Sequence, residues 1–117
     1  MSVEDNKAVI RHVWDEVNKG NLTVIDECFA DNFMRIAHDD KQMDRQGYKN
    51  MSAFILKNSP NLHVVIDDMV GEGNKIAFRM TMTGNSNGKP YTAKETYFAT
   101  LDNGKIIEYV NLNRMLD

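Results

Sequence analysis

The stretch KIAFRMTMTGNSNGKPYTAKETYFATLDNGKIIEYV, residues 75–110, decides the fold. In its first arm Ile76, Phe78, Met80 and Met82 share one face, and Ala77, Arg79, Thr81 and Thr83 share the other. That period of two belongs to a strand with one side buried. Asn87-Gly88 and Asn103-Gly104 interrupt the pattern. Asn-Gly is the strongest short hairpin signal, because a type I′ turn needs positive φ at both central residues. Gly73-Asn74 marks a further turn upstream. The reading is four strands, Leu62–Glu72, Lys75–Ser86, Lys89–Asp102 and Lys105–Met115, joined as an antiparallel meander.

Upstream of Pro60 the period is helical. Ser2 can cap a first helix, with Asp5 three residues on to complete a capping box. Val9, Ile10, Val13, Trp14 and Val17 follow at helical spacing, and Gly20 fits the stop. A shorter helix is expected over Thr23–Phe29 with Thr23 as its cap, then a short strand over Phe33–Ala37. His38–Gly47 is polar and reads as a loop. Tyr48, Met51, Phe54 and Ile55 restore the period in a third helix over Tyr48–Asn58, which Pro60 ends. Helices first and a meander last give an α+β order, with N-terminal helices packed on a curved, mostly antiparallel sheet around an apolar pocket.

The chain of 117 residues fits a single domain, 1–117, with a modest core. Its hydrophobic fraction of 42% and charged fraction of 26% are those of a globular protein. A net charge of −3 gives no electrostatic reason to expect nucleic acid or an anionic membrane as partner. The N-terminus lacks a basic region followed by an apolar run, and no apolar stretch approaches a span. Cys28 is the only cysteine, so no intrachain disulfide forms, and a cytoplasmic location is expected.

The two faces of the predicted sheet point to a site. In the third meander strand Tyr91, Ala93, Glu95, Tyr97, Ala99 and Leu101 share the inward face. In the last, Ile107, Tyr109, Asn111, Asn113 and Met115 are assigned to it, opposed by Ile106, Glu108, Val110 and Leu112. Apolar walls with a few oriented polar groups are the usual make-up of a small-molecule site. Met51, Met80 and Met82 either lend such a pocket adaptability or fill a core. Trp14, Tyr48, Phe54 and Phe78 are expected in its wall, and His38 at its mouth unless it is simply a solvated loop residue. Phe98, Val110 and Leu112 face outward and would be exposed in a monomer, so the outer sheet face is expected to form a homodimer.

Element order, turns and local motifs together resemble the SnoaL-like polyketide cyclases. These sit within the wider superfamily of nuclear-transport-factor-two-like and ketosteroid-isomerase-like cone folds. The resemblance is carried by Asn6-Lys7, the run Val17-Asn18-Lys19-Gly20-Asn21-Leu22, Ala30-Asp31-Asn32-Phe33, Ser59-Pro60-Asn61-Leu62, Thr83-Gly84 and the run Asp102-Asn103-Gly104-Lys105-Ile106-Ile107-Glu108. It implies a cone-shaped α+β barrel with no cofactor. It also implies an inward His–Asp pair performing acid/base work on the third and last meander strands. The matching positions here hold Tyr97 and Asn111. Asn111 exchanges no proton near neutrality, and tyrosine ionises only near ~10.

The remaining candidate for acid/base work is Glu95, with Tyr97, Tyr109 and Asn111 orienting a carbonyl or enolate and Asn113 expected among the substrate-binding residues. Its other reading is a structural ion pair with Arg79, Arg35 or Arg114. His12, His38 and His63 lie far apart and show no ligand spacing, so no metal is expected. Cys28 sits on an apolar helix face and reads as a small buried hydrophobe. Two functions follow. One is a cofactor-free isomerase, cyclase or hydratase acting on a small apolar carbonyl compound. The other is a non-catalytic ligand-binding or dimerisation module.

Overall fold

In the computed structural model the backbone is described for residues 1–116 and the side chains for residues 1–112. Helix α1 spans Val3–Asn18. The Ser2 side chain accepts from the Asp5 amide at 3.0 Å, and the Asp5 carboxylate accepts from the Ser2 amide at 3.1 Å, completing the expected capping box. Ile10, Val13, Trp14 and Val17 form its buried stripe. Helix α2, Thr23–Cys28, is capped differently from the expectation. Thr23 lies inside the helix, and the Asn21 side chain two residues earlier accepts from both its amide and its hydroxyl.

Strand β1 runs over Phe29–Ile36, four residues earlier than expected, because a register break between Phe29 and Met34 lets the polar Asp31-Asn32 pair remain inside the strand. The segment read as a loop contains strand β2, Gln42–Asp44, paired with β1. Asp44 then caps helix α3, Arg45–Asn58, by accepting from the Gly47 amide at 2.8 Å. The meander follows as β3 (His63–Glu72), β4 (Lys75–Ser86), β5 (Lys89–Asp102) and β6 (Lys105–Leu116). Asn87, Gly88, Asn103 and Gly104 all have positive φ, the signature of type I′ turns. In the first turn only Gly73 does, the pattern of a II′ turn.

The strands form one open, curved sheet of six in the order β2-β1-β6-β5-β4-β3. Every pairing is antiparallel except β1 with β6, which is parallel. Helix α1 lies across β3 and β4, and α3 lies against β1 and β2. The concave face carries the core, and Ile76, Phe78, Met80 and Met82 are all buried as expected. Phe29, Phe33, Tyr48 and Tyr109 pack as an aromatic cluster with ring centroids 4.7–6.0 Å apart.

Two irregularities re-phase β6. Thr100 pairs with Glu108 but Leu101 with Ile106, so Ile107 is an extra residue. Ile106 is therefore the buried one, and the inward assignment of Ile107 is corrected. Tyr97 pairs with Asn111 but Thr96 with Asn113, so Leu112 is extra in the same way.

Candidate functional site

Between α1, α3 and the concave face lies a cavity of about 70 Å³. Helix α1 contributes Val13, Trp14 and Val17; α3 contributes Tyr48, Met51, Ser52, Ile55 and Leu56. The sheet contributes Arg35 from β1, Met82 from β4, and Tyr91, Glu95 and Tyr97 from β5. Period two on β5 brings the last three to one face, as the sequence indicated. At the rim the Tyr91 hydroxyl donates to Ser59 Oγ at 3.1 Å. A side chain at Gly84 would run into that Ser59 hydroxyl and force it to shift off Tyr91, so glycine allows the close approach.

Glu95 is buried, with 5% of its surface exposed. The Tyr97 hydroxyl donates a short hydrogen bond to its Oε2. Arg35 reaches the same phenol, so a guanidinium, a phenol and a carboxylate lie in sequence along the cavity floor. Burial first, then the Glu95 carboxylate, push the Tyr97 phenol far above the usual tyrosine range, and Arg35 offsets only part of that. Burial does the same to Tyr48 and Tyr109. All three phenols are therefore neutral near pH 7. Burial alone would lower the Arg35 pKa; the neighbouring Tyr97, then Tyr48 and Glu95, outweigh it, and the guanidinium is held more firmly charged.

Of the ion-pair partners considered for Glu95, Arg79 is excluded. It lies on the outer face and is bound to the Asp68 carboxylate. Arg35 approaches through Tyr97. Arg114 is the backbone ladder partner of Glu95, and its side chain lies outside the described residues.

The other expected site residues divide. Trp14, Tyr48, Met51 and Met82 line the cavity. Phe78, Met80 and Tyr109 are buried in the core below it and do not line it. Asn111, buried as the ladder partner of Tyr97, does not line it either, and its Nδ2 has no hydrogen-bond partner. Phe54 is 67% exposed on the outer side of α3, because the helical period places it one residue off the cavity stripe. His38 is exposed in the turn between β1 and β2, away from the cavity. The Asn113 side chain falls outside the described residues. Cys28 is half-buried against the core, and burial followed by the Glu27 charge raises its thiol pKa. Among the described residues no group of three potential metal ligands converges.

Arg35, Ser52 and Tyr91 are the polar wall residues that the sequence reading did not assign to the site. Arg35 had a usable signal. It alternates with Phe33 on a strand that was recognised, which puts it on the core face.

An open cone of antiparallel strands closed by helices, with an apolar cavity holding a few polar groups, is the architecture of the ketosteroid-isomerase-like folds. Residues 9–109 match the model of the SnoaL-like domain, and the chain belongs to that family. No curated protein matches it by sequence. Among solved structures it is similar to a protein of Jannaschia sp. CCS1 assigned to the SnoaL-like polyketide cyclases. That pair is 20% identical over 100% of this chain and 90% of the other, with a TM-score of 0.82. It is also similar to IdmH of Streptomyces antibioticus, assigned as a polyketide cyclase, at 18% identity over 96% and 91% with a TM-score of 0.83. A third, from Catenulispora acidiphila DSM 44928, has a ketosteroid isomerase-like fold and was solved with trimethylamine. It is 14% identical over 88% and 82%, with a TM-score of 0.76. At these identities the likeness is one of fold.

Proposed function

We propose that the protein binds a small carbonyl compound in the cavity between α1, α3 and β5 and catalyses a cofactor-free proton transfer on it. The observation that carries this reading is Glu95, a buried carboxylate on the wall of an otherwise largely apolar cavity. Such a group can take a proton from carbon next to a carbonyl and return it elsewhere, the step shared by isomerisation, dehydration and aldol closure. Tyr97 is the positioning residue that holds the carboxylate, and Trp14, Met51 and Ile55 exclude water from the reacting carbon. The resemblance would put an inward His–Asp pair at the positions held here by Tyr97 and Asn111, so the proposed chemistry rests on a different carboxylate, two residues before Tyr97 on the same strand.

The test is exchange of α-protons of short ketones and oxo acids into heavy water, followed by NMR. The wild type is expected to accelerate it, and Glu95→Gln to lose on the order of 100-fold or more while keeping its melting temperature within a few degrees. Equal exchange rates in both proteins would overturn the assignment of Glu95. A second reading, a non-catalytic ligand-binding module, is favoured by the size of the cavity. About 70 Å³ is well below the roughly 300–1,000 Å³ of drug-sized sites. It predicts ligand-induced shifts at Met51 and Ser52 with no exchange in either protein. We further propose that the working form is a homodimer joined through the outer sheet face.

A further inference from the structure

The cavity holds a cation with no direct ion pair among the described residues, and Glu95 acts on it from beyond the Tyr97 phenol. Arg35 enters it from β1, and its Nε is closed off from solvent with no hydrogen-bond acceptor. No ion pair among the described residues includes it. Its contact with Tyr97 does not supply an anion: that phenol is neutral, and its one proton is directed to Glu95. Glu95 is engaged by Tyr97 and has a further interaction of its own. Arg35 lines a largely apolar cavity, where a guanidinium without a direct charge partner is costly, and an anionic oxygen against its fork offsets that cost. The planar donor fork of arginine matches a carboxylate better than any neutral acceptor. Tyr48, on the facing wall from α3, supplies a neutral hydroxyl as a second donor.

We propose that the cavity takes a short organic carboxylate, with its oxygens on the Arg35 guanidinium and its hydrocarbon body against Trp14, Met51 and Ile55. This rests on the pocket reading above and narrows it: the carbonyl compound carries a carboxylate of its own. The cavity volume sets its size at a few carbon atoms, smaller than a fused-ring ligand. Arg35 anchors the ligand at one end while Glu95, held through Tyr97, meets it at the other.

The experiment titrates the methyl-labelled protein by NMR with isobutyrate, with the isosteric neutral isobutyramide, and with trimethylammonium. Isobutyrate is expected to shift the Met51 and Met82 methyl signals and to bind at least tenfold tighter than the amide. Arg35→Gln should erase that preference, and Arg35→Lys, which keeps the charge without the fork, should retain part of it. The wild-type comparison stands even if a variant folds poorly. Binding of the amide or of trimethylammonium as tight as that of isobutyrate would overturn the carboxylate assignment and leave the pocket reading intact. Absence of any shift at the cavity methyls with all three probes would overturn both.

Discussion

Tyr97 has one proton to give, and Glu95 receives it. The phenol therefore cannot also donate to a substrate oxygen, the role an inward tyrosine invites. Its part is to fix the carboxylate, and Tyr97→Phe is expected to cost about 1.5–3 kcal/mol, the range for hydrogen bonds to charged groups. Tyr109 is the contrasting case. It is buried, and the Trp14 indole N–H approaches its hydroxyl without completing a hydrogen bond. Tyr109→Phe removes an unsatisfied polar atom, so thermal unfolding should show it neutral or up to about 1 kcal/mol more stable than wild type. Both phenols, with Tyr48, bear on pH. Their folded pKa values are raised above the unfolded value, so the stability they contribute is complete below about pH 10 and drains away above it, as the unfolded chain ionises first. Each tyrosine adds a slope of up to about 1.4 kcal/mol per pH unit in that window. Melting temperatures between pH 8 and 11 should fall less steeply for Tyr109→Phe than for wild type. Alternation alone set Glu95 and Tyr97 inward; nothing in it said which way the phenol's proton points, because that depends on Arg35 arriving from a strand sixty residues earlier in the chain.

Among the elements, β3 is an edge strand, and edges expose unpaired backbone groups. Asn18, the last residue of α1, answers two of them. Its Nδ2 donates to the Val64 carbonyl at 2.8 Å, and its Oδ1 accepts from the Val64 amide at 2.7 Å. The side chain imitates a neighbouring strand for one residue and pins α1 over the cavity. Asn18→Ala is expected to lose about 1–3 kcal/mol in denaturant unfolding and to speed hydrogen exchange at Val64 by tenfold or more. The four meander strands were legible because Asn-Gly turns and period two are local signals. Strand β2 was not, since three residues of mixed polarity form a strand only because β1 lies alongside them. The β6 bulges were hidden for a related reason: Ile106-Ile107 offers two equal hydrophobes, and only the register with β5 decides between them.

At the scale of the whole molecule, the convex face carries an apolar row across five strands. Val70, Ala77, Phe98, Val110 and Ile36 are successive ladder partners from β3 to β1. Val70, Phe98 and the neighbouring Leu112 are 65%, 44% and 46% exposed. A continuous stripe of this kind on a small protein marks a contact surface. Sedimentation at high micromolar concentration is expected to give a dimer and Phe98→Asp a monomer; a wild-type monomer under those conditions would exclude the homodimer. Helices followed by a meander were readable as an α+β chain, yet the strand order was not. No local feature announces that the last strand inserts between β1 and β5. That insertion has a temporal consequence. During synthesis the helices, β1 and β2 emerge first, and the β3–β5 meander next, but the ladder that joins the two halves is residues 105–116. Until that segment has cleared the ribosome, Phe29 and Phe33 lack β6 and the Tyr109 ring they pack against, and the nascent chain depends on whatever shields its apolar surface in the meantime.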